Sequence, residues 1–279
     1  MSRIRFSENE VTKCFDSQNS RNREADILNR LSHTPISGLV PKVTGLSELE
    51  EGETKQYLIS MSRIAGVPLS DHALDEGVVE QLASVLASCH QLFKFTSFGS
   101  LTSDLQVEDS QSRFGDFLIL QLRQWNVRLA RFSTQYAEVS TTLTGLLDQQ
   151  HSSLNRFTSA VFCHNDFDLK NVLHVQGKIT GLIDWEHAGA YPFAWDMRKL
   201  YPVLYWKKPG WGSLFLTRYL SQCPNVVIPS VSEQALLVAV DCIGALSWAY
   251  RNRAQSEANR ISQLLNQALA MLSEGVSNE

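Results

Sequence analysis

The sequence predicts an α+β fold in two lobes: a small β-rich N-terminal lobe over residues 1–66 and a larger, mainly helical C-terminal lobe over residues 67–279. Three observations predict it. Residues 1–64 alternate apolar and polar side chains in short runs, interrupted by one helical stretch. From Gly77 onward apolar residues recur at i, i+3, i+4 and i+7, the stripe of core-facing helices. Around "CHNDFDLKN", residues 163–171, short strands return inside the helical part. A chain of 279 residues is large for one compact core and suits two lobes.

The elements follow in order. "IRF" and "EVTKCF" flank the polar turn "SEN" and predict a hairpin within residues 1–16. "NSRNREADILNRLSH" reads as a helix capped by Asn19 or Ser20, with Ile27, Leu28 and Leu31 on one face. "LVPKVTGLSE" and "KQYLISMSRI" read as two strands joined by the acidic linker "ELEEGE", and "AGVPLSD" breaks the pattern at the lobe boundary. In the larger lobe Leu82, Val85, Leu86, Cys89, Leu92 and Phe93 stripe a first helix. Residues 114–132 and 137–154 predict two more. "SAVFCHND", "NVLHV" and "ITGLIDW" are the returning strands, with "QGK" as a turn. Ser230 and Glu233 form a capping box after Pro229, and Gly275 stands where a helix-ending glycine belongs.

Composition narrows the function. Hydrophobic content of 43%, charged content of 19% and a formal net charge of -4 describe an ordinary globular chain. No basic patch stands out, which argues against nucleic acid as a partner. "MSRIRFSENE" has no apolar run for a signal peptide, and no stretch approaches ~18 uninterrupted apolar residues, so no membrane span is expected. The five cysteines, at 14, 89, 163, 223 and 242, form no C-x-x-C, so neither a zinc site nor a disulfide framework is expected. Reduced thiols in a cytoplasmic protein are the simplest reading.

The chemistry concentrates in "CHNDFDLKN". Asp166 and Asp168 match the D-x-D of phosphatases that form a phospho-aspartate. That motif wants an unbroken apolar strand before it and Thr or Val two residues after it; here His164 and Asn165 break the strand and Lys170 holds the later position. A calcium loop starting at Asp166 fails, because position five is Lys170 and position twelve is Gly177. The pattern H-x-D-x-x-x-x-N fits His164, Asp166 and Asn171. Phosphoryl transfer needs a carboxylate beside the acceptor hydroxyl, magnesium ligands and a cation on the nucleotide phosphates. Asp166 can be that carboxylate. Asn171, and Asp184 at the end of the apolar strand in "GLIDWE", can reach magnesium. Lys13 projects from "EVTKCF", and Glu24 in the following helix can hold it.

"FCHNDFDLKN" followed by "ITGLIDWEHAGAYPFAWD" resembles the aminoglycoside phosphotransferase and choline kinase superfamily. "VTKCF", "READILNRL", "VPKV", "YLISMSRIAGVPL" and "LASVLASCHQLFKFTSFGSL" are similar to its small lobe, hinge and first large-lobe helix. The resemblance implies a protein-kinase-like fold and Mg²⁺- and ATP-dependent phosphorylation of a hydroxyl on a small molecule. It implies Asp166 as the catalytic aspartate, Asn171 and Asp184 as magnesium ligands, and Lys13 on the nucleotide phosphates with Glu24 paired to it. It also implies adenine against the backbone near Ser62 and Ile64, and Asp196 as a brace for the catalytic loop.

One departure matters. The superfamily covers the nucleotide with a loop between two strands ahead of the lysine strand. Only twelve residues precede Lys13, and "RFSENEV" has no glycine. The small lobe reads as shortened, which leaves three explanations: weak nucleotide binding, a different donor, or a start codon placed too late. The alternative function is a catalytically inactive, pseudokinase-like binding protein. Each site residue also has a plain structural reading. Asp166 and Asp184 could bond only loop backbone, Asn171 could serve a turn, Lys13 could be a surface strand lysine and Glu24 a helix-face charge. His164 reads as a scaffold for the loop and His90 as a packed helix histidine. Glu186 either touches substrate or braces the loop, and Asp168 has no assigned part. For the acceptor, Tyr205, Trp206, Trp211 and Trp248 offer rings for an amino alcohol such as choline or ethanolamine. Asp241 could join Trp248 on one helix face, although core and lobe packing is the favoured reading of aromatic residues at helical spacing. The acceptor is thus expected to be an amino alcohol, an aminoglycoside or a sugar, although Asp241, Glu257 and Glu274 are too sparse to argue for the aminoglycoside.

Overall fold

The first hairpin forms where the alternation ends in a polar turn. In the computed structural model, which describes residues 4–51 and 54–276, β1 (Ile4–Phe6) pairs antiparallel with β2 (Glu10–Phe15), and Ile4 faces Lys13. Helix α1 (Gln18–Leu31) follows and buries Ala25, Ile27, Leu28 and Leu31. Its cap position is Ser17, not Asn19 or Ser20, which lie inside the first turn. Strands β3 (Val43–Glu51) and β4 (Thr54–Ser62) complete a four-stranded antiparallel sheet in the order β1-β2-β4-β3. The acidic run expected as a linker is strand up to Glu51. Glu48 lies opposite Tyr57 and Glu50 opposite Lys55, and the Lys55 ammonium reaches Glu48 at 2.5 Å. Cross-strand opposite charges of this kind stabilise an acidic strand that would otherwise repel itself.

Beyond β4 the chain crosses to the helical part through Gly66. Its φ is +132°, and a Cβ there would stand 2.8 Å from the Thr180 hydroxyl and 2.9 Å from the His174 carbonyl. Only glycine combines that dihedral with that closeness. β5 (Val67–Pro68) then adds to the edge of β9 (Val172–Val175). Asp75 caps α2 (Glu76–Leu92) by accepting from Val78 N–H at 2.8 Å. Of the expected stripe, Leu82, Leu86 and Cys89 are buried, while Val85, Leu92 and Phe93 are half-buried against the same core.

Strands β6 (Lys94–Phe95) and β7 (Gly99–Ser100) precede α3 (Phe114–Ala130), α4 (Ala137–Gln149) and α5 (His151–Leu154). The single helix expected over 137–154 is therefore two. The chain turns at Gln150 so that His151 meets Asp116 at 2.7 Å and Asn155 accepts from Gly115 N–H at 2.9 Å. Those contacts hold the start of α3. β8 (Ala160–Cys163) belongs to a sheet ordered β6-β8-β11-β7, with β11 at Gly189–Tyr191, whereas β10 (Lys178–Leu182) pairs with β9. Gln176 and Gly177, at φ 50° and 77°, make the two-residue turn between β9 and β10.

α6 (Phe193–Asp196), a π-helical segment Pro202–Lys207, α7 (Pro209–Leu220), α8 (Val231–Arg251) and α9 (Gln255–Val276) finish the fold. α9 continues through Gly275, so that glycine does not end it. α8 is long and apolar enough to cross a membrane by length and composition, yet 67% of that window is buried inside the protein. It packs on α3 and α9 as the central helix of the larger part.

The capping box at the start of α8 is present. Ser230 Oγ accepts from Glu233 N–H at 3.2 Å, and Glu233 accepts from Ser230 N–H at 2.7 Å. Glu233 also accepts from the Ser153 hydroxyl at 2.5 Å and pairs with Arg156. Burial would raise its carboxyl, but the hydrogen bonds from Arg156, Ser153 and Ser230 outweigh burial and hold it below the usual glutamate range. A lowered folded pKa gives stability that is present above the unfolded pKa and lost as pH falls. Glu233→Gln is expected to be about 1–3 kcal/mol less stable than the parent at pH 7. The gap should narrow as pH falls below the ordinary glutamate range, about 4.3, and close once pH is below the lowered folded pKa, read as urea midpoints of the two proteins.

Candidate active site

The loop after β8 is built around one buried carboxylate. Asp196, at the end of α6, is fully buried and accepts from the backbone N–H of His164 at 3.0 Å and of Asn165 at 2.7 Å. His90 of α2 reaches the same carboxylate at 3.1 Å and the Tyr219 hydroxyl at 2.7 Å. His90 is thus a packed helix histidine, as expected, but one with both ring nitrogens engaged. His164 Nδ1 accepts from Asp166 N–H at 3.2 Å, so Nε2 carries the proton and donates to the Ile183 carbonyl at 2.9 Å. Burial lowers the His164 pKa and keeps the ring neutral. It scaffolds the loop. Asn165 sits at φ 64°, a conformation that asparagine tolerates better than most residues.

Asp166 and Asn171 meet. The Asn171 amide donates to the Asp166 carboxylate at 2.8 Å and to its carbonyl at 2.9 Å. Lys170 Nζ lies 3.6 Å from one Asp166 oxygen and Lys199 Nζ 3.7 Å from the other. Burial works against the ionised carboxylate, but Lys199 and Lys170 outweigh it and hold Asp166 well below the usual aspartate range. Asp168 now has a part. Its side chain accepts from Lys170 N–H at 3.3 Å and so caps the short turn that presents Asn171.

Lys13, Glu24 and Asp184 also meet. The Lys13 ammonium lies 2.9 Å from Glu24, 2.5 Å from Asp184 and 3.3 Å from Glu186. Its side chain is 6% exposed, so it is no surface strand lysine. Burial would lower its pKa, but the three carboxylates reverse that and hold it above the usual lysine range. Burial pushes Glu24 up to about 7; Lys13 opposes this, and the neighbouring Asp184 and Glu186 charges add to it. Asp184 itself stands at φ 70°, ψ 60°, a strained setting that aims its carboxylate across the cleft at Lys13. Glu24, Asp184 and Glu186 have ligand oxygens all within 4.8 Å of one another. Three carboxylates around one ammonium leave an excess of negative charge, and oxygen donors with that excess fit a hard divalent cation. The Asn171 amide and the Asp184 carboxylate point to different partners; the tie between them is backbone, from Ile183 N–H to the Asn171 carbonyl at 2.9 Å.

This arrangement of lysine, helix glutamate, loop aspartate and asparagine, and second aspartate runs through most of the chain. Residues 11–224 match the model of the phosphotransferase enzyme family. The chain belongs to that family. No curated protein matches it significantly in sequence. Solved structures share the fold of this phosphotransferase at low identity. One is an apo thermostable mutant of aminoglycoside phosphotransferase APH(4)-Ia, 15% identical, with a TM-score of 0.69 over 99% of this chain and 94% of that one. A ternary complex of such a mutant with AMP-PNP and hygromycin B is 15% identical, with a TM-score of 0.68 over 99% and 94%. A GDP complex of aminoglycoside 2'-phosphotransferase-IIIa is 15% identical, with a TM-score of 0.65 over 96% and 89%. The two-lobed, kinase-like fold expected from the sequence is the fold of this phosphotransferase.

The remaining expected residues are placed as follows. Ser62 ends β4, its N–H taken by the Lys42 carbonyl at 2.8 Å, and Ile64 follows it with its side chain against Gly181. Asp241 is not a free anion for a substrate. Arg198 Nε holds one of its oxygens at 2.7 Å and Lys199 Nζ the other at 2.8 Å. The Trp211 ring is covered by the Lys208 ammonium at 3.7 Å from its centroid, and Trp248 is 45% exposed. Sequence reasoning missed Arg198 and Lys199, which stand two and three residues after Asp196. Arg198 donates to the Asn165 carbonyl at 2.6 Å and so braces the loop from the side opposite Asp196.

Asp196→Asn replaces one acceptor oxygen with an amide that cannot accept a loop N–H. The expected result is a loss of about 1–3 kcal/mol and faster hydrogen exchange at the amides of His164 and Asn165, read by exchange mass spectrometry or NMR.

Proposed function

We propose that this phosphotransferase transfers the γ-phosphoryl group of ATP, with Mg²⁺, to a hydroxyl of a small molecule. The observation that carries the reading is the Lys13 ammonium held between Glu24 of α1 and Asp184, residues drawn from the two sides of the cleft. Residues 1–66 then serve as the nucleotide lobe and residues 67–279 as the catalytic and acceptor lobe, in the cytoplasm. Adenine lies against the backbone at Ser62 and Ile64, and Lys13 faces the phosphates. Asn171, through its side-chain oxygen, and Asp184 would hold the metal with Glu186 beside them, and magnesium bound there would neutralise charge on the phosphate oxygens.

Asp166 is held ionised below the usual range, which makes it a weak base. Its larger part is to orient the attacking hydroxyl, taking the proton late as the new oxygen–phosphorus bond forms. The acceptor is an amino alcohol or a sugar rather than a polyamine antibiotic. The hygromycin B-binding relative shares the fold, but here Asp241 is paired with Arg198 and Lys199, and Glu257 with Arg260 at 2.7 Å. That leaves these helix acids committed to protein cations.

A second reading has a specific observation behind it. The turn at residues 7–9, directly ahead of the lysine strand, contains no glycine and is tied to the hinge end by the Arg63 N–H, which donates to the Asn9 carbonyl at 2.9 Å. A binding protein without turnover would fit that.

Two variants separate the readings. Asp166→Asn is expected to keep a Mg·ATP thermal shift and to lose about 10²–10⁴-fold in turnover, followed as ADP release with amino alcohols and sugars. Asp184→Ala is expected to lose the shift. At ~100 times the dissociation constant the shift corresponds to about 2.7 kcal/mol, or roughly 5–11 °C for a chain of this size. A nucleotide shift with no turnover toward any acceptor favours the binding protein.

A further inference from the structure

We propose that Lys170 is a catalytic residue whose ammonium contacts the γ-phosphoryl group during its transfer. This rests on the phosphotransfer reading above. Three observations lead to it. First, the two lysines beside Asp166 differ in how far they are committed. Lys199 is 21% exposed and bonded to Asp241 at 2.8 Å. Lys170 is 62% exposed, and its nearest carboxylate oxygen among the described residues, on Asp166, is 3.6 Å away, beyond hydrogen-bond length. Its three donors are available to a ligand. Second, Lys170 is fixed at its base. The turn that carries it is capped by Asp168 and is followed directly by Asn171, whose amide holds Asp166. Its ammonium therefore stands beside the carboxylate that orients the hydroxyl, within the field of Glu257 on α9 but bonded to neither.

Third, the cation that the N-terminal sheet brings toward the nucleotide phosphates is already shared. Lys13 is its buried ammonium, and that charge is shared among Glu24, Asp184 and Glu186. The segment before it offers no glycine-bearing loop among the described residues. In the transfer, the acceptor oxygen bonds to the γ-phosphorus while the bond from that phosphorus to the β,γ-bridging oxygen breaks. The hydroxyl proton passes to Asp166, and ADP leaves with the bridging oxygen. Negative charge spreads over the three equatorial oxygens of the group in flight. A mobile ammonium beside Asp166 stabilises that charge more than it stabilises bound ATP, which is what raises turnover.

The test uses the full chain and needs no known acceptor. Mg·ADP is added, then aluminium fluoride, whose planar anion with ADP stands in for the phosphoryl group in flight. The parent is expected to show a thermal shift with Mg·ADP and a further increment with fluoride. Lys170→Met is expected to keep the first and lose the second, and Lys170→Arg to keep both. Its magnesium-dependent hydrolysis of ATP, with water as acceptor, should fall about 10²-fold in Lys170→Met without a matching rise in KM for ATP. A merely structural lysine would move the Mg·ADP shift or nothing. A full fluoride increment in Lys170→Met overturns the proposal, as does loss of its Mg·ADP shift. Hydrolysis abolished by Asp166→Asn but intact in Lys170→Met overturns it while the phosphotransfer reading stands. A parent that shows no Mg·ADP shift overturns both.

Discussion

A buried carboxylate that must be fully paired organises this protein. Asp196 has no exposed surface, and an ionised group in such a place is tolerated only when its oxygens accept hydrogen bonds. Two of its donors are consecutive backbone amides, His164 and Asn165, and the third is His90. Meeting that demand fixes the path of the loop. Once His164 and Asn165 are pinned, Asp166 is aimed by the His164 ring, Asn171 closes on Asp166, and Ile183 is drawn in by both His164 and Asn171. Asp184 follows Ile183 in the chain, so its position across from Lys13 is inherited from the same carboxylate.

The cleft side of the molecule obeys a different constraint, charge balance rather than pairing of backbone. Lys13 brings one positive charge to three carboxylates. Burial raises the Glu24 carboxyl most, and the neighbouring Asp184 and Glu186 charges add to it. An arrangement that is poorly compensated alone is well suited to take in a divalent cation, because the cation supplies the missing charge.

Much of this was legible in the sequence, for physical reasons. The hairpin around Lys13 and the stripe of α2 are set by periodicities that survive folding. Asp166 and Asn171 stand in a fixed local spacing, so their meeting in one loop could be read directly, whereas Asp184 comes near them only through the backbone of Ile183. Lys13 and Glu24 were separable from surface charges only through the resemblance to known phosphotransferases. Burial decides between the two, and burial depends on how the sheet meets the larger part. What was not legible came from pairing over long separations. Glu48–Lys55 turned a linker into strand, and contacts of His151 and Asn155 with the start of α3 divided a helix at Gln150. Asp241 read as a free anion because nothing local reveals Arg198 and Lys199, which lie more than forty positions away and take both of its oxygens.

The distribution of cations across the site follows from these constraints. Arg198 spans Asn165 and Asp241, and Lys199 spans Asp166 and Asp241. Asp241 is thus the counter-charge that lets two cations sit next to the loop without repelling each other out of it. Arg198, stacked 4.2 Å from the Trp195 ring centroid, and Lys199 are structural charges whose reach is limited by their partners. Lys170 stands on the same carboxylate without such a partner, and its stem starts from the turn rather than from the core. Lys199 and Lys170 together hold Asp166 ionised. The two lysines around this carboxylate differ chiefly in burial, and the exposed one, Lys170, keeps the greater freedom to turn toward a ligand.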